Sequence, residues 1–154
     1  MSIRCEIVSQ DNLVFEGDAD MVILPGINGE MGILPNHAPL LSTLGMGVIK
    51  IRAGNQEEIF TVTGGIVDVQ PDIVTILADA AENIEDIDIA RAEEAKRRAE
   101  ELLTQPPEED LDEYLALEAA IRRSNLRLNS VKRYRSGVER YARIEKPPEK
   151  EDKE

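Results

Sequence analysis

Residues 60–79 read FTVTGGIVDVQPDIVTILAD, and this stretch decides the fold class of the chain. Short runs rich in Val, Ile and Thr are interrupted by a Gly-Gly pair and by Gln-Pro-Asp at 70–72, which predicts strands joined by tight turns. Phe60 and Val62 alternate with threonines, a pattern typical of a half-buried strand. Because the same punctuation extends from the N-terminus to about position 80, we expect an antiparallel β-sandwich there.

Five earlier runs of the same kind support this prediction. They are IRCEIVS at 3–9, LVFEG at 13–17, ADMVILPG at 19–26, EMGILP at 30–35 and VIKIRA at 48–53. In the last of them Ile49 and Ile51 alternate with Lys50 and Arg52, so this strand is also expected to be half buried. The AGNQ tetrapeptide at 53–56 predicts a hairpin turn. The strands together predict an antiparallel meander.

Beyond position 80 the composition changes to Ala, Glu, Arg and Leu, which is typical of helices. Asp86 or Asp88 is expected to cap a first helix. Its inward face, taken at helical spacing, consists of Ile89, Ala92, Ala95, Ala99 and Leu102. The Gln-Pro-Pro sequence at 105–107 is expected to end this helix, because proline lacks the backbone donor and restricts the residue before it.

A second helix is predicted from about 108–110 to Arg143, with acidic residues at its positive end. Its inward face consists of Leu117, Ile121, Ser124, Leu128, Val131 and Val138. Two helices joined by a short proline turn form an antiparallel hairpin. A helix of about 35 residues would be about 50 Å long, wider than a small domain, so part of it must project, fold back or bind a partner.

These patterns predict an α+β fold with an N-terminal antiparallel β-sandwich followed by a C-terminal antiparallel two-helix hairpin. The domain boundaries are placed at 1–84 for the sandwich and 85–145 for the hairpin. The charged and proline-flanked end, 146–154, is predicted to be disordered.

The charge of the chain is negative overall and unevenly distributed. The formal net charge is −13, and residues 1–85 hold 3 basic against 13 acidic residues. Residues 122–143 hold 8 basic residues against one acidic residue. The acidic balance and the presence of only 3 Tyr, 2 Phe and no Trp argue against a nucleic-acid-binding protein.

The N-terminus lacks the long apolar segment of a secretory signal, and one cysteine, Cys5, cannot form an internal disulfide. These features predict a cytoplasmic location. Since no apolar run approaches the roughly 20 residues of a membrane span, any association with a membrane is expected to be indirect.

Three segments carry a resemblance to the epsilon-subunit family of F-type ATP synthases. They are GINGEMGILPNHAPLLSTLGMGVIKIR at 26–52, the run at 60–79 quoted above, and IDIARAEEAKRRAEELL at 87–103. The chain resembles the family over roughly residues 3–135, and the first segment is the most specific of the three. The C-terminal tail beyond about Tyr134 is longer than the family pattern, so nothing is carried over to it.

The resemblance implies a non-catalytic regulatory subunit of a proton- or ion-translocating ATP synthase. In that family the sandwich binds the gamma subunit and rests on the ring of membrane c subunits, as a peripheral protein on the cytoplasmic face. The hairpin permits ATP hydrolysis when folded on the sandwich and inhibits it when extended along gamma into the alpha/beta catalytic hexamer. The basic end of the second helix would then contact the acidic catalytic subunits.

The loop from Glu30 to His37 is the first candidate site. No second histidine or further cysteine is present to complete a catalytic triad or a zinc site around His37, so no catalytic or metal-binding residue is assigned. The family places this loop near the rotor contacts, so Glu30 and His37 are assigned to partner binding. The glycines at 26, 29 and 32 match no phosphate-loop spacing and are interpreted as turn residues.

The second candidate site is for a nucleotide. Some bacterial members of the family bind ATP through an I/L-D-x-x-R-A motif together with two arginines four residues apart on the second helix. Here the motif occupies 87–92, and the residues assigned to ATP are Glu82, Asp88, Arg91, Ala92, Arg123 and Arg127. Guanidinium groups suit a triphosphate because they bind its oxygens through two parallel hydrogen bonds. A register shift of one residue would place Arg122 there instead of Arg123.

Several alternatives stay open from the sequence. Asp88 would be only a helix cap, and Arg91 would pair with Glu94 or Glu85. Arg123 and Arg127 would be a solvated face or a contact with the beta subunits. An epsilon subunit that does not bind ATP and a free-standing ATP-sensing protein are the alternative functions. An enzyme is the least favoured class, since no acid, base and nucleophile can be named.

Overall fold

The structure is a computed structural model, which describes residues 1–10, 12–105 and 110–135. Ten strands lie in the described part of the chain, followed by one 3-10 turn, two α-helices and one π turn. The strands are β1 Ile3–Ser9, β2 Asn12–Ala19, β3 Met21–Gly26, β4 Gly29–Ile33, β5 Leu40–Leu44, β6 Gly47–Ala53, β7 Gln56–Val62, β8 Gly65–Val69, β9 Ile73–Ala78 and β10 Ala81–Asn83. The 3-10 turn Ile84–Asp86 leads into α1 Ile89–Leu103 and α2 Leu111–Ser130, and the π turn Val131–Arg135 follows directly.

The strands form one folded sheet in the order β10-β7-β6-β3-β5-β8-β9-β1-β2, with β4 paired to β3. Each run predicted from the sequence contains a strand, and the turns at 53–56 and 70–72 are confirmed as the β6–β7 and β8–β9 connections. The predicted fold class is confirmed. The simple antiparallel meander is wrong, because β3 pairs with β6, β5 pairs with β8, and β1 pairs in parallel with β9. β1 and β9 are more than 60 residues apart in the sequence, and a local pattern carries no information on their pairing or relative direction.

A main core fills the interior of the folded sheet. Its largest fully buried side chains include Ile3, Ile7, Phe60 and Ile76. The Gly-Gly pair predicted to be a turn permits a close approach, since Gly65 has φ +142° and a Cβ there would lie 2.2 Å from the carbonyl oxygen of Leu77.

A second and smaller apolar cluster lies on the outer side of the sheet. Ile59, Ile84, Ile87 and Val131 are buried there, and Val48 and Tyr134 pack against them. Val48 on β6 and Ile59 on β7 belong to the face opposite to Phe60, because the side chains of a strand alternate. This cluster attaches the helices to the sheet.

The half-buried pattern predicted for β7 is wrong. Ile59, Phe60, Thr61 and Val62 are 4%, 2%, 4% and 0% exposed. One face of the strand lies in the main core, and the helical segments cover the other face. Alternation of Thr with apolar residues indicates solvent on one side of a strand only when no other element packs there.

The helix caps agree with the sequence. The Asp88 carboxylate accepts a hydrogen bond from the Arg91 amide at 3.1 Å, and the Asp110 carboxylate accepts from the amides of Asp112 and Glu113. Each cap satisfies backbone donors that the first helical turn leaves without partners.

The predicted inward faces of the helices are confirmed only in part. Ala92 and Ala99 are buried, whereas Ile89, Ala95 and Leu102 are exposed. On α2, Ser124 and Val131 are buried, and Leu117, Ile121 and Leu128 are half-buried. The proline turn at 106–107, Val138, the predicted helix end at Arg143 and the tail 146–154 lie outside the described residues.

Candidate ligand-binding site

A cleft of about 470 Å³ separates the outer face of the sheet from the helical hairpin. Its sheet side comes from β7, β10 and the residues that flank them: Thr61, Thr63, Ala80, Ala81 and Glu82. Its helix side comes from Ala95, Ala120, Arg123, Ser124, Leu126 and Arg127. Alanine and serine side chains are short, so they leave open space between the helices and the sheet.

The most constrained polar contact in this cleft joins the sheet to α2. Arg127 donates from Nε and Nη2 to the Glu82 carboxylate at 2.9 and 3.0 Å. The two side chains are 28% and 32% exposed. A guanidinium that binds a carboxylate through two parallel hydrogen bonds has a fixed orientation, so Arg127 is held over β10.

Arg123 lies one helical turn before Arg127 and lines the same cleft. Arg122 instead forms an ion pair with Glu118 at 3.6 Å on the exposed side of α2. The structure therefore places Arg123 rather than Arg122 at the cleft. Within the described part of the chain, the Arg123 guanidinium makes no ion pair.

A second cleft of about 480 Å³ adjoins the first along α1. It is lined by Asp88, Ala90, Arg91, Glu94, Ala95 and Arg98. Ala95 lines both clefts, so the two spaces border the same residue.

The six residues assigned to ATP from the sequence thus fall into three groups. Glu82, Arg123 and Arg127 meet in the first cleft, whereas Asp88 and Arg91 lie in the second. Ala92 lines neither cleft and is completely buried.

The alternative interpretations from the sequence are also resolved in part. Asp88 is a helix cap, as the first of them proposed. Glu94, however, pairs with Arg97 and Arg98. Neither Glu94 nor Glu85 forms an ion pair with Arg91 in the described ranges.

The sequence interpretation missed Arg98 and the two threonines of the sheet side. Arg98 lies seven residues after Arg91, which places both on one face of α1, so the spacing could have identified it. Thr61 and Thr63 gave no such signal, because their pattern indicated a solvent-exposed strand face.

The arrangement favours a ligand with several negatively charged oxygens. Four guanidinium groups, those of Arg91, Arg98, Arg123 and Arg127, line the two clefts, and two of them are paired with lining carboxylates, Arg127 with Glu82 and Arg98 with Glu94. Planar guanidinium groups bind phosphate and carboxylate oxygens in pairs. A compact anion would occupy one cleft, whereas a ligand of extended shape would contact α1, α2 and the sheet together.

The loop that contains the other candidates lies elsewhere. Glu30 on β4 is exposed, and His37 lies in the connection between β4 and β5. The His37 Nδ1 lies 2.7 Å from the carbonyl oxygen of Ala38. The Asn36 amide donates to the Pro71 carbonyl at 2.9 Å, so the β8–β9 turn holds this loop in place.

Two further properties concern metals and membranes. Among the described residues, no group of three or more His, Cys, Asp or Glu side chains is arranged to hold a metal ion. No described helix combines the length and the apolar character needed to cross a bilayer.

Comparison with known proteins assigns both parts of the chain to one family. The family model described as the beta-sandwich domain of the ATP synthase Delta/Epsilon chain matches residues 2–84, and the corresponding long alpha-helix domain matches residues 85–132. An ATP synthase epsilon chain of Halalkalibacterium halodurans is 43% identical over 83% of this chain and 96% of its own length. One from Dehalococcoides mccartyi is 42% identical over 86% of this chain and 94% of its own length.

Solved structures show the same fold in more distant proteins. A chain of the Euglena gracilis mitochondrial ATP synthase, from a structure of OSCP, F1 and the c-ring, aligns with a TM-score of 0.61 at 19% identity. That alignment covers 89% of this chain and 81% of the other. A chain from the central stalk and c-ring of the Tetrahymena thermophila enzyme aligns with a TM-score of 0.57 at 14% identity, over 84% and 96% of the two chains.

Proposed function

This chain belongs to the ATP synthase Delta/Epsilon chain family and is a non-catalytic subunit of the central stalk, and from this premise we propose that it is a regulatory subunit that senses ATP. ATP would bind in the cleft between the sheet and the hairpin and extend to the cleft along α1. The observation that carries the proposal is the placement of Arg123 and Arg127 opposite Glu82, beside the cleft that contains Arg91.

The sheet domain would join the gamma subunit to the c-ring and so hold the protein at the cytoplasmic face of the membrane. The exposed loop with Glu30 and His37 is the proposed contact. Ile27 and Leu34 are large apolar side chains exposed near this loop, and a partner surface would cover them. The loop is held against the β8–β9 turn, so it would present a preformed surface.

The hairpin would regulate ATP hydrolysis by moving between the docked arrangement and one extended toward the catalytic alpha/beta hexamer. Its contact with the sheet supports this, because the small outer cluster is built around four buried side chains, whereas the main core contains many more. A few apolar contacts stabilise docking only modestly, and an element of low local stability is suited to switch between two states. The basic residues that follow Arg122 would contact the acidic catalytic subunits when extended.

ATP would favour the docked arrangement, because the proposed site needs both the sheet and the helices. Glu82 comes from the sheet, Arg91 from α1 and Arg123 from α2. Undocking would separate these groups and destroy the site. A ligand that binds one state only stabilises it by mass action, by about 2.7 kcal/mol at a concentration one hundred times its Kd.

Calorimetric titration of the full chain with ATP and with ADP tests this function. Wild type is expected to bind ATP more tightly than ADP, since ADP lacks the third phosphate. Arg91→Ala and Arg123→Ala are each expected to weaken ATP binding at least tenfold, because each removes a guanidinium from the cleft. Arg122→Ala is the matched control, since it removes the neighbouring charge on the exposed side and is expected to bind ATP as wild type does. Absence of ATP binding at millimolar concentration would refute the proposal.

A further inference from the structure

The π turn Val131–Arg135 attaches the end of α2 to the start of the hairpin. Val131 is 7% exposed and packs with Ile59, Ile84 and Ile87, and Tyr134 packs against the same cluster. Ile84 and Ile87 belong to the short connection between the sheet and α1. The exit of the hairpin and its entry are thus in contact at one point on the outer face of the sheet.

Arg135 makes the polar part of this contact. Its Nη2 donates hydrogen bonds to the carbonyl oxygens of Ile84 and Ile87, the latter at 3.1 Å. Ile84 is the first residue of the 3-10 turn and Ile87 follows its last residue. The Ile84 carbonyl also accepts from the Ile87 amide at 3.4 Å, and a carbonyl oxygen can accept two hydrogen bonds. The Arg135 guanidinium can thus bind both carbonyls. The Arg135 Nε is buried and has no hydrogen-bond partner in the described residues, which makes the contact weaker than a fully satisfied one.

Tyr134 extends the contact to the sheet. The Lys50 Nζ lies 5.0 Å from the centre of the Tyr134 ring, and the Arg133 guanidinium lies 5.4 Å from it. Cations at this distance over an aromatic ring are attracted by its electron-rich face. Lys50 is opposite Ile59 in the β6–β7 ladder, so both side chains are on the face that the π turn covers.

The spacing of these residues explains how they reach their partners. Val131, Tyr134 and Arg135 stand at positions i, i+3 and i+4, which lie on one face of a helical segment. All three can therefore face the sheet. None of the three lines either cleft.

We propose that the π turn is a latch that holds the hairpin docked when no ligand is bound, an inference that rests on the proposed movement of the hairpin. The latch and the ligand would both favour the docked hairpin, the latch through the π turn and the ligand through the clefts. The affinity of a ligand for a protein falls in proportion to the fraction of molecules in the binding-competent state. Weakening the latch is therefore expected to weaken ATP binding, although no latch residue would touch ATP.

The distance between two spin labels on the full chain measures docking directly. Cysteines introduced at the exposed positions Asn55, in the β6–β7 turn, and Glu93, on α1, would carry the labels. The native Cys5 is completely buried, and burial raises the pKa of its thiol to about 12, so it does not react near neutral pH.

The variants Arg135→Gln and Tyr134→Ala are expected to raise the undocked population at least fivefold without nucleotide, and saturating ATP is expected to restore the docked distance. Their Kd for ATP is expected to rise by the factor by which the docked fraction falls. Arg122→Gln is the control, since it removes a charge from the same helix without touching the sheet. If circular dichroism shows that Arg135→Gln disrupts the sheet, Arg135→Lys replaces it. Lysine keeps the charge but lacks the planar guanidinium group, so the same increase of the undocked population is expected.

Distance distributions of both latch variants that match the Arg122→Gln control would overturn the latch. This result is distinct from failure of the ATP proposal, because the distances without nucleotide decide the latch even if ATP does not bind. A larger undocked population together with absent ATP binding would support the latch and refute the nucleotide site.

Discussion

Breaking the ion pair between Glu82 and Arg127 is expected to weaken docking of the hairpin by about 1 to 2 kcal/mol. The pair joins β10, on the sheet side of the first cleft, to α2 through hydrogen bonds of 2.9 and 3.0 Å. The perturbation is a double-mutant cycle of Glu82→Gln and Arg127→Gln, which isolates the coupling between the two groups from their other contacts.

The magnitude follows from the burial and geometry of the pair. Two unit charges 4 Å apart attract by about 4 kcal/mol at an effective dielectric constant near 20. Loss of hydration offsets much of this attraction, and fully exposed pairs are worth only about 0.2 to 1 kcal/mol. The side chains here are 28% and 32% exposed and doubly hydrogen-bonded. The expected coupling therefore lies above the range of exposed pairs.

Hydrogen exchange of the backbone amides of α2 measures the free energy of local opening for each member of the cycle. The coupling is expected to fall in 1 M salt, where the screening length is about 3 Å. Arg122 and Glu118, an exposed pair at 3.6 Å on the same helix, provide the control cycle, with about 0.3 to 0.5 kcal/mol expected. A coupling for Glu82 and Arg127 no larger than that of the control would refute the reasoning.

Two further perturbations test the sheet domain. Gly65→Ala is expected to lower the free energy of unfolding by at least about 2 kcal/mol in urea titration, because a Cβ at φ +142° would lie 2.2 Å from the Leu77 carbonyl oxygen. Gly54→Ala is the control, since Gly54 has φ +59° and open space around it in the β6–β7 turn. It is expected to lower the free energy of unfolding by less. Burial raises the pKa of the Cys5 thiol from 9.0 to about 12, so the thiol ionises more readily in the unfolded chain. The thiol is therefore expected to leave the free energy of unfolding unchanged below pH 9 and to lower it between pH 9 and 12. Cys5→Ala is expected to flatten that decline. An unchanged slope in the variant would contradict this prediction.

The strands and the helix caps were predictable because their signals are local. The stretch at 60–79 contains strand residues, turn residues and a glycine pair in the order in which the structure uses them. The caps at Asp88 and Asp110 follow from a short acidic side chain directly before a helix-forming run. β5, Leu40–Leu44, was missed, since its sequence LLSTL continues a loop-like segment without clear alternation.

The candidate site was predictable only as a set of residue types. A family motif and an i, i+4 spacing identified arginines and carboxylates, but Glu82 and Arg127 are 45 positions apart and no local pattern reports that they pair. Likewise, Arg122 and Arg123 are adjacent, and the sequence left a one-residue register shift between them open. The face that α2 turns toward the sheet decides that Arg123 lines the cleft.

The sequence by itself determined where most of the strands, turns and helices form, though not β5 or β10, because backbone preferences and the period of apolar residues act over a few positions. The tertiary structure alone decided the parallel pairing of β1 with β9, the burial of both faces of β7 and the contact of the π turn with the sheet. Each of these depends on which element packs on an already formed surface. Complementary shape and charge between segments distant in the sequence determine which element packs there, so the local sequence pattern does not predict it.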